Sequence, residues 1–275
     1  LIAITTDSPV VPQEYLPLCA ALAMKDGLPD TTGMTPQWER YIGHNWGYDS
    51  STKTLTLLSG TFDFSSTHPQ TPNATGARPV PAVKCAIESY ATTTITGGTF
   101  TGGSDGKVTN YGTISGGNFK NTCSVTNGGT IKDNGTFEGT VTNSGTIENG
   151  TFAYKVENNG SGAIFGGTFK GTVTNNAKIY GGVFNGKTGL DGVTGLHSIT
   201  WDAASSKANI VAVNDVAANW APYAYKGTTV TITASTEIYS LNGKLLTTND
   251  RVNGDKKTVK FTMPDEDVVL GTGEL

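Results

Sequence analysis

The stretch Val141-Thr-Asn-Ser-Gly-Thr-Ile-Glu-Asn-Gly-Thr-Phe152 contains the unit that decides the fold of this chain. Its opening tripeptide, Val-Thr-Asn, also begins at Val108, Val125 and Val173, and a copy with one substitution begins at Val156. The steps between these valines are 17, 16, 15 and 17 residues. A unit that recurs at a nearly constant period of this length is typical of repeat architectures.

Each copy of the unit carries three large apolar residues, a Val, an Ile and a Phe, spaced five or six residues apart with Gly or Asn between them. A helical face needs spacings of three and four, and a single strand needs spacings of two. The observed spacing therefore predicts a chain that turns a corner after each short strand and directs three side chains inward. The isoleucines are Ile114, Ile131, Ile147, Ile164 and Ile179, and the phenylalanines are Phe119, Phe137, Phe152, Phe169 and Phe184.

Three parts of the pattern are irregular. The half-unit Ile-x-x-Gly-x-Phe also occurs at Ile95–Phe100, and Leu57–Phe62 matches it with Leu in place of Ile. The stretch between these two half-units, His68–Val83, is rich in Pro and is interpreted as a loop outside the repeat. The fourth full copy has two extra residues. In it we assign Gly160, two positions after the Asn, as the small residue that precedes the Ile.

Stacking explains why the unit repeats. One coil cannot bury its own Phe, but stacked coils place equivalent side chains above one another. The sequence predicts an all-β protein built on a parallel β-helix, or β-solenoid, of short 15–18-residue coils that lie about 4.8 Å apart. A column of asparagines should stack at one corner, where their amides bond from coil to coil; its members are Asn110, Asn127, Asn143, Asn158 and Asn175. On the outside, Lys120 should lie beside Glu138, and Lys132 beside Glu148.

The flanks of the repeat divide the chain into three predicted regions. Residues 1–50 form an N-terminal capping segment with a short helix at Pro17–Lys25, which has Pro near its first turn. Residues 51–188 form the β-solenoid, and residues 189–275 form a small C-terminal β-module. Within that module, residues 198–212 are expected to form a hairpin, and Thr228–Thr233 and Thr258–Thr262 alternate as strands do.

Composition and charge exclude several classes of function. The chain has 275 residues, a net charge of −4 and three cysteines. It has no basic stripe interleaved with aromatics, so we expect no nucleic-acid partner. It has no stretch of 18 apolar residues, so we expect no membrane insertion. An odd number of widely separated cysteines cannot form a complete disulfide framework.

The densest aromatic cluster in the chain consists of Trp38, Tyr41, Trp46 and Tyr48. One interpretation is structural: a solenoid needs its open end covered, and these side chains would pack on the first coil. The other is a ligand-binding site, because Trp and Tyr present flat apolar faces with a polar edge and can stack on sugars. Both interpretations remain open from the sequence, and these four are the candidate ligand-binding residues.

No catalytic or metal-ligating set is visible in the sequence. His44, His68 and His197 are isolated, and none has a metal-binding spacing. Glu138 and Glu148 are expected on different faces of the stack, which does not favour a pair of carboxylates for glycoside hydrolysis. We therefore predict no catalytic residues, no metal and no cofactor; a polysaccharide hydrolase or lyase is the enzymatic alternative.

The C-terminal region carries a family resemblance. Tyr225-Lys-Gly-Thr-Thr-Val-Thr-Ile-Thr-Ala234 and Val259-Lys-Phe-Thr-Met-Pro-Asp-Glu-Asp-Val268 together resemble the divergent internalin-type B-repeat of bacterial surface proteins. The segment Tyr239–Gly243 departs from that pattern, because the family often has a Trp there. The repeat itself resembles Gly/Thr/Asn-rich β-helix segments of bacterial adhesins.

The resemblance implies a non-catalytic protein that is extracellular or displayed on a bacterial cell surface. From it we expect a rigid stalk or adhesin segment within a longer protein, in contact with neighbouring domains. Its partner is expected to be a glycan or a host or cell-surface protein. A carbohydrate-binding module that uses the aromatic cluster is the alternative function.

Overall fold

The computed structural model describes residues 54–64, 83, 86–101, 106–205, 208–218, 220 and 222–272, together with the backbone of short strands within 24–49 and 68–78. The described residues form strands, turns and three short 3₁₀ turns (Ala203–Ser205, Thr248–Asp250 and Val252–Gly254), with no α-helix among them. Parallel coils stack into a β-solenoid of about 6 turns. The predicted all-β, parallel β-solenoid architecture is confirmed.

Seven strands precede the regular coils: β1 (Met24–Lys25), β2 (Leu28–Pro29), β3 (Arg40–Tyr41), β4 (His44–Asp49), β5 (Thr54–Asp63), β6 (His68–Pro69) and β7 (Ala77–Arg78). The predicted helix Pro17–Lys25 lies outside the described residues except at its end, where Met24 and Lys25 form β1 rather than helix. β4 pairs antiparallel with β5, so the N-terminal edge of the solenoid sheet is hydrogen-bonded.

The solenoid has three faces, named here after their inward residues. The long strands β5 and β8 (Ala86–Gly97) pair in parallel, and each contributes to both the Val face and the Ile face. The Val face continues with β10 (Lys107–Asn110), β13 (Ser124–Asn127), β16 (Val141–Asn143), β19 (Val156–Asn158) and β22 (Val173–Asn175). The Ile face continues with β11 (Thr113–Ile114), β14 (Thr130–Ile131), β17 (Thr146–Ile147), β20 (Ala163–Ile164) and β23 (Lys178–Ile179). The Phe face contains β9 (Thr99–Phe100), β12 (Asn118–Phe119), β15 (Thr136–Phe137), β18 (Thr151–Phe152), β21 (Thr168–Phe169) and β24 (Val183–Asn185).

The inward residues form columns, as the repeat predicts. Phe100 to Phe184 stack ring on ring, with neighbouring centroids 4.5 to 4.9 Å apart and ring planes within 9° of parallel. The Val and Ile columns keep the same coil-to-coil register throughout. These side chains are buried, and together they fill the narrow core of the solenoid.

The asparagine column is also confirmed. Nδ2 of each amide donates to Oδ1 of the next, at 2.7 Å from Asn110 to Asn127 and 2.8 Å from Asn143 to Asn158. In four of the five asparagines Nδ2 also donates to a carbonyl two residues ahead, for example from Asn127 to Gly129 at 3.2 Å. Nδ2 of Asn158 donates instead to the carbonyl of Lys178 at 3.1 Å. The buried column therefore satisfies its own polar atoms from coil to coil.

Two details of the predicted alignment are wrong. In β5, Leu55 pairs with Ile87 and Phe62 pairs with Ile95, so Phe62 lies in the Ile column and the Leu57–Phe62 match to Ile95–Phe100 does not hold. The pattern could not show this, because every column accepts any large apolar side chain. Val83 takes the Phe position instead, because it forms a parallel bridge with Phe100. The ring of Phe64 packs edge-on against that of Phe100, with a centroid distance of 5.6 Å.

The second error concerns the coil with two extra residues. Ala163 pairs with Thr146, so the residue that precedes the Ile face in that coil is Gly162 and not Gly160. A Cβ on Gly162 would lie 2.7 Å from the carbonyl oxygen of Asn143, whereas a Cβ on Gly160 would meet nothing within 4 Å. Contact with the neighbouring coil therefore identifies the equivalent glycine, which spacing alone did not.

The two predicted ion pairs have different outcomes. Nζ of Lys120 lies 2.7 Å from Oε1 of Glu138, as expected from their neighbouring coils. Lys132 and Glu148 also occupy neighbouring coils, but no ion pair joins these two described residues. Exposed side chains of this length gain little from a fixed ion pair, so adjacency alone does not ensure one.

The C-terminal strands are β25 (Leu196–Trp201), β26 (Ile210–Val213), β27 (Val216–Ala217), β28 (Pro222–Tyr225), β29 (Thr229–Ala234), β30 (Ser240–Leu241), β31 (Lys244–Leu245), β32 (Thr258–Thr262) and β33 (Val268–Gly271). The predicted hairpin over residues 198–212 is wrong. β25 pairs with β28 and β33, whereas β26 pairs with β27 and β29 in another sheet. Both edges of β25 are thus occupied by strands that come later in the chain.

The solenoid and the C-terminal strands share one sheet. β24 pairs antiparallel with β28, which extends the Phe face into an 11-stranded sheet. Phe184 points into the solenoid core, while its neighbour Val183 is buried in a second apolar cluster with Ile199, Val230 and Ile232. The predicted boundary between residues 188 and 189 stays a prediction.

Candidate functional site

The four aromatic residues predicted as a ligand site lie at the N-terminal end of the chain. Trp38 is outside the described residues, Tyr41 is in β3, and Trp46 and Tyr48 are in β4. The backbone of β4 pairs with the first coil, with Trp46 opposite Leu57 and Tyr48 opposite Leu55. The side chains of these aromatics lie outside the described residues, so packing and sugar stacking both stay predictions.

A charged cluster lies among the strands of the C-terminal module. Nζ of Lys226 lies 2.7 Å from Oδ2 of Asp265, and Nε2 of His197 lies 2.9 Å from Oδ1 of the same carboxylate. The backbone N–H of Ser198 donates to Oδ1 of Asp267 at 2.7 Å. The cluster joins the start of β25, the end of β28 and the turn before β33.

Hydrogen bonds shift the pKa values of Asp265, Lys226 and Asp267 in the direction that favours their charged forms. The bond from Lys226, followed by that from His197, holds the pKa of Asp265 below its ordinary value of 3.8. The same Lys226–Asp265 bond raises the pKa of Lys226 above 10.5. The backbone N–H of Ser198 lowers the pKa of Asp267. Sequence reasoning treated His197 as isolated, because its carboxylate partner lies 68 residues further along the chain.

The described part of the chain contains no group of three or more His, Cys, Asp and Glu residues placed to hold a metal ion. Cys123 is buried in the solenoid core, and its Sγ lies 3.9 Å from the carbonyl oxygen of Ser124. Within the same described ranges, no helix has the length and apolar character to cross a membrane.

Exposed aromatic side chains on the solenoid were not identified from the sequence. Tyr90 and Tyr111 occupy consecutive coils, with ring centroids 6.3 Å apart and ring planes tilted by 50°. Phe165 and Tyr180 form a second pair, stacked at 5.1 Å on a different corner. The first pair directly follows the buried polar column and the second directly follows the Ile column. In the sequence, these four residues could have been found as aromatics that occupy positions outside the inward-facing pattern.

We find no family model, curated protein or solved structure that matches this chain. The register of the coils alone defines its class, which is a parallel β-solenoid whose Phe face continues into a C-terminal β-module. The resemblance of residues 225–268 to the B-repeat, with the bacterial surface setting that it implies, stays a prediction.

Proposed function

We propose that this chain is a rigid, non-catalytic spacer within a secreted or cell-surface protein, in which it acts as a stalk or adhesin segment. The observation that carries the proposal is the continuous 11-stranded sheet that runs from the solenoid into the C-terminal module. Such a spacer would hold neighbouring domains of a longer protein at a constant separation and orientation.

Three layers of contact at the junction support rigidity. β24 and β28 share backbone hydrogen bonds, and Val183 and Phe184 contribute to the two apolar cores from opposite sides of one strand. Leu190 and Leu196 close the end of the solenoid core. Movement between domains is the ordinary expectation unless their interface is large and hydrophobic. At this junction the shared sheet and the burial of Val183 and Phe184 in two apolar cores oppose such movement.

The proposed location is extracellular or on a bacterial cell surface. Its support is the resemblance of residues 225–268 to the B-repeat. The two segments that carry the resemblance also form the neighbouring strands β29 and β32, paired over five residues from Thr229 to Thr233.

Rigidity can be tested by pulsed electron paramagnetic resonance between two spin labels. Ala91 in β8 and Leu245 in the module are both exposed, so Ala91→Cys and Leu245→Cys would carry the labels after Cys19, Cys85 and Cys123 are replaced by Ala. We expect one narrow distance distribution, because the Phe face of the solenoid and the C-terminal strands share one hydrogen-bonded sheet.

The matched control places both labels inside the solenoid, with Ala91→Cys and Tyr154→Cys, since Tyr154 is also exposed. This pair measures the width that comes from the labels themselves. A broad or two-peaked distribution for the first pair, beside a narrow one for the control, would contradict the spacer proposal.

Glycan recognition by Trp38, Tyr41, Trp46 and Tyr48 is the second candidate function. The observation that favours it is that β4, which contains Trp46 and Tyr48, is hydrogen-bonded to the first coil, and sites on rigid elements are the most precise. Binding of the purified chain to a glycan and host-matrix array would test it, with Trp38→Ala/Trp46→Ala beside the unchanged protein. Specific binding that this variant loses would support the recognition role, and binding that it retains would exclude the cluster.

A further inference from the structure

The corner between the Val and Ile faces is not uniform along the solenoid. In the coils of Asn110, Asn127 and Asn143, three residues separate the buried asparagine from the Ile of the same coil. The coils of Ser89 and Asn158 each have five intervening residues, although all these coils remain in register on both faces. The two extra residues must therefore project outward, and the additions are exposed at Ala91–Thr92 and Gly160–Ser161.

These projections form a saddle along the corner. Three short coils make its floor, and the longer coils rise at both ends, roughly 19 Å apart at the usual strand spacing. We name this surface the corner saddle, and its floor contains Tyr111, Gly128 and Ser144, all exposed.

The floor of the saddle brings an aromatic ring against glycine. Tyr111 is 51% exposed, and a Cβ on Gly128 would lie only 3.1 Å from its Cδ1 atom. Because Gly128 has no side chain, the ring of Tyr111 can pack close to the backbone of the neighbouring coil at this corner. Tyr90, 43% exposed, stands at one end with its ring tilted by 50° relative to Tyr111.

The borders of the saddle are uncharged and rich in hydroxyl groups. Six half-exposed threonines flank its three short coils: Thr109, Thr126 and Thr142 on the Val face, and Thr113, Thr130 and Thr146 on the Ile face. In the same columns, charged residues begin only in the neighbouring coils, at Glu88 and Glu157. Of the charges in the short coils, Lys107 lies at the start of β10, two residues before Thr109 and away from the floor of the saddle, while Lys132 and Glu148 lie beyond the Ile column.

We propose that the corner saddle binds a chain of a neutral polysaccharide. Aromatic rings offer apolar faces to the C–H surfaces of sugars, and threonine hydroxyls can donate and accept hydrogen bonds with sugar hydroxyls. An uncharged surface provides no complement for nucleic acid or for a polymer of uronic acids. The regular coil spacing presents the same groups repeatedly, which suits a ligand that is itself a repeating chain. This inference adds a ligand to the spacer and does not depend on its rigidity.

The test is affinity electrophoresis and calorimetry of the full chain with β-glucan, mannan and galactan, and with polygalacturonate as the charged counterpart. We expect binding to at least one neutral polymer and none to polygalacturonate. Tyr111→Ala should weaken that binding about tenfold, and Tyr90→Ala/Tyr111→Ala should abolish it. Tyr90→Phe/Tyr111→Phe should retain it, because the ring faces remain.

The matched control is Phe165→Ala/Tyr180→Ala, which removes two exposed aromatic rings from another corner. This control should bind as the unchanged protein does. Three outcomes would each overturn the inference. The two double variants could lose binding equally, binding could be lost only in Trp38→Ala/Trp46→Ala, or the chain could bind no neutral polymer. If binding depends on the two tyrosines but the spin-label distance distribution is broad, the spacer proposal is contradicted and the binding inference is not.

Discussion

A buried amide at each turn determines where the corner forms. Asn143 accepts a hydrogen bond from Asn127 at 2.7 Å, donates to Asn158 at 2.8 Å and donates to the carbonyl of Gly145 at 3.2 Å. The column starts at Ser89, whose hydroxyl donates to Oδ1 of Asn110 at 2.8 Å. The residue before Ser89 in the column is the apolar Leu57, which needs no partner, so a small hydroxyl is a suitable terminus.

Asn143→Ala should reduce the free energy of unfolding by roughly 2–4 kcal/mol, because it leaves buried polar atoms of Asn127 and Asn158 without their partners. Urea unfolding measures the change. The control is Asn176→Ala, which removes an exposed amide bonded to Asn159 at 3.0 Å and should change stability by less than about 0.5 kcal/mol. If the two variants lost similar free energies of unfolding, the buried column would stabilise the protein no more than an exposed amide does.

At the scale of elements, β24 differs from the strands that precede it on the Phe face. The residue before Phe is Thr in β15, β18 and β21 but Val in β24. Val183 is fully buried, because the C-terminal module covers the outer surface of the sheet at this coil. The last strand of the repeat is thus adapted to end the solenoid against another core.

Val183→Thr restores the residue of the repeat and should destabilise the protein by about 1–3 kcal/mol, since a hydroxyl enters an apolar cluster without a hydrogen-bond partner. The reverse change in an earlier strand, Thr151→Val, serves as control and should alter stability by less than about 0.5 kcal/mol. Thermal and urea unfolding of both variants provide the measurement. A neutral Val183→Thr would mean that the module is not packed on β24 as described.

At the scale of the whole molecule, ionic bonds connect parts of the C-terminal module that are far apart in the chain. Lys226, His197 and Asp265 come from three separate parts of the chain, and Asp265 is bonded to the side chains of both Lys226 and His197. The lowered pKa of Asp265 means that its contribution to stability is present above pH 3.8 and is lost as the pH falls through the lowered value. The raised pKa of Lys226 means that its contribution is present below pH 10.5 and is lost above it.

Asp265→Asn should therefore lower the Tm at neutral pH by a small amount, and this difference should vanish well below pH 3.8. Calorimetry across the acid range gives both values. Asp191→Asn, at an exposed carboxylate outside the cluster, should leave the Tm unchanged at every pH. A Tm difference for Asp265→Asn that persists in strong acid would show that its charge is not the cause.

The sequence by itself determined the solenoid, its three apolar columns, the asparagine ladder and the Lys120–Glu138 pair. It could do so because each coil repeats the previous one, so a local pattern specifies every contact between neighbours. The same reasoning failed for Phe62, because any large apolar residue fits any column, and for Gly160, because an insertion can be placed on either side of a turn.

Only the tertiary structure decided the pairing of β25 with β28 and β33, the contact of His197 with Asp265, and the corner saddle. These features join residues that are far apart in the chain or depend on unequal turns in consecutive coils. No periodicity relates such residues, and their contacts form only when the last coil meets the module or when the coils stack in register. A repeating sequence therefore specifies the contacts between equivalent coils. The contacts at the end of the repeat and at its irregular turns depend on how distant residues pack.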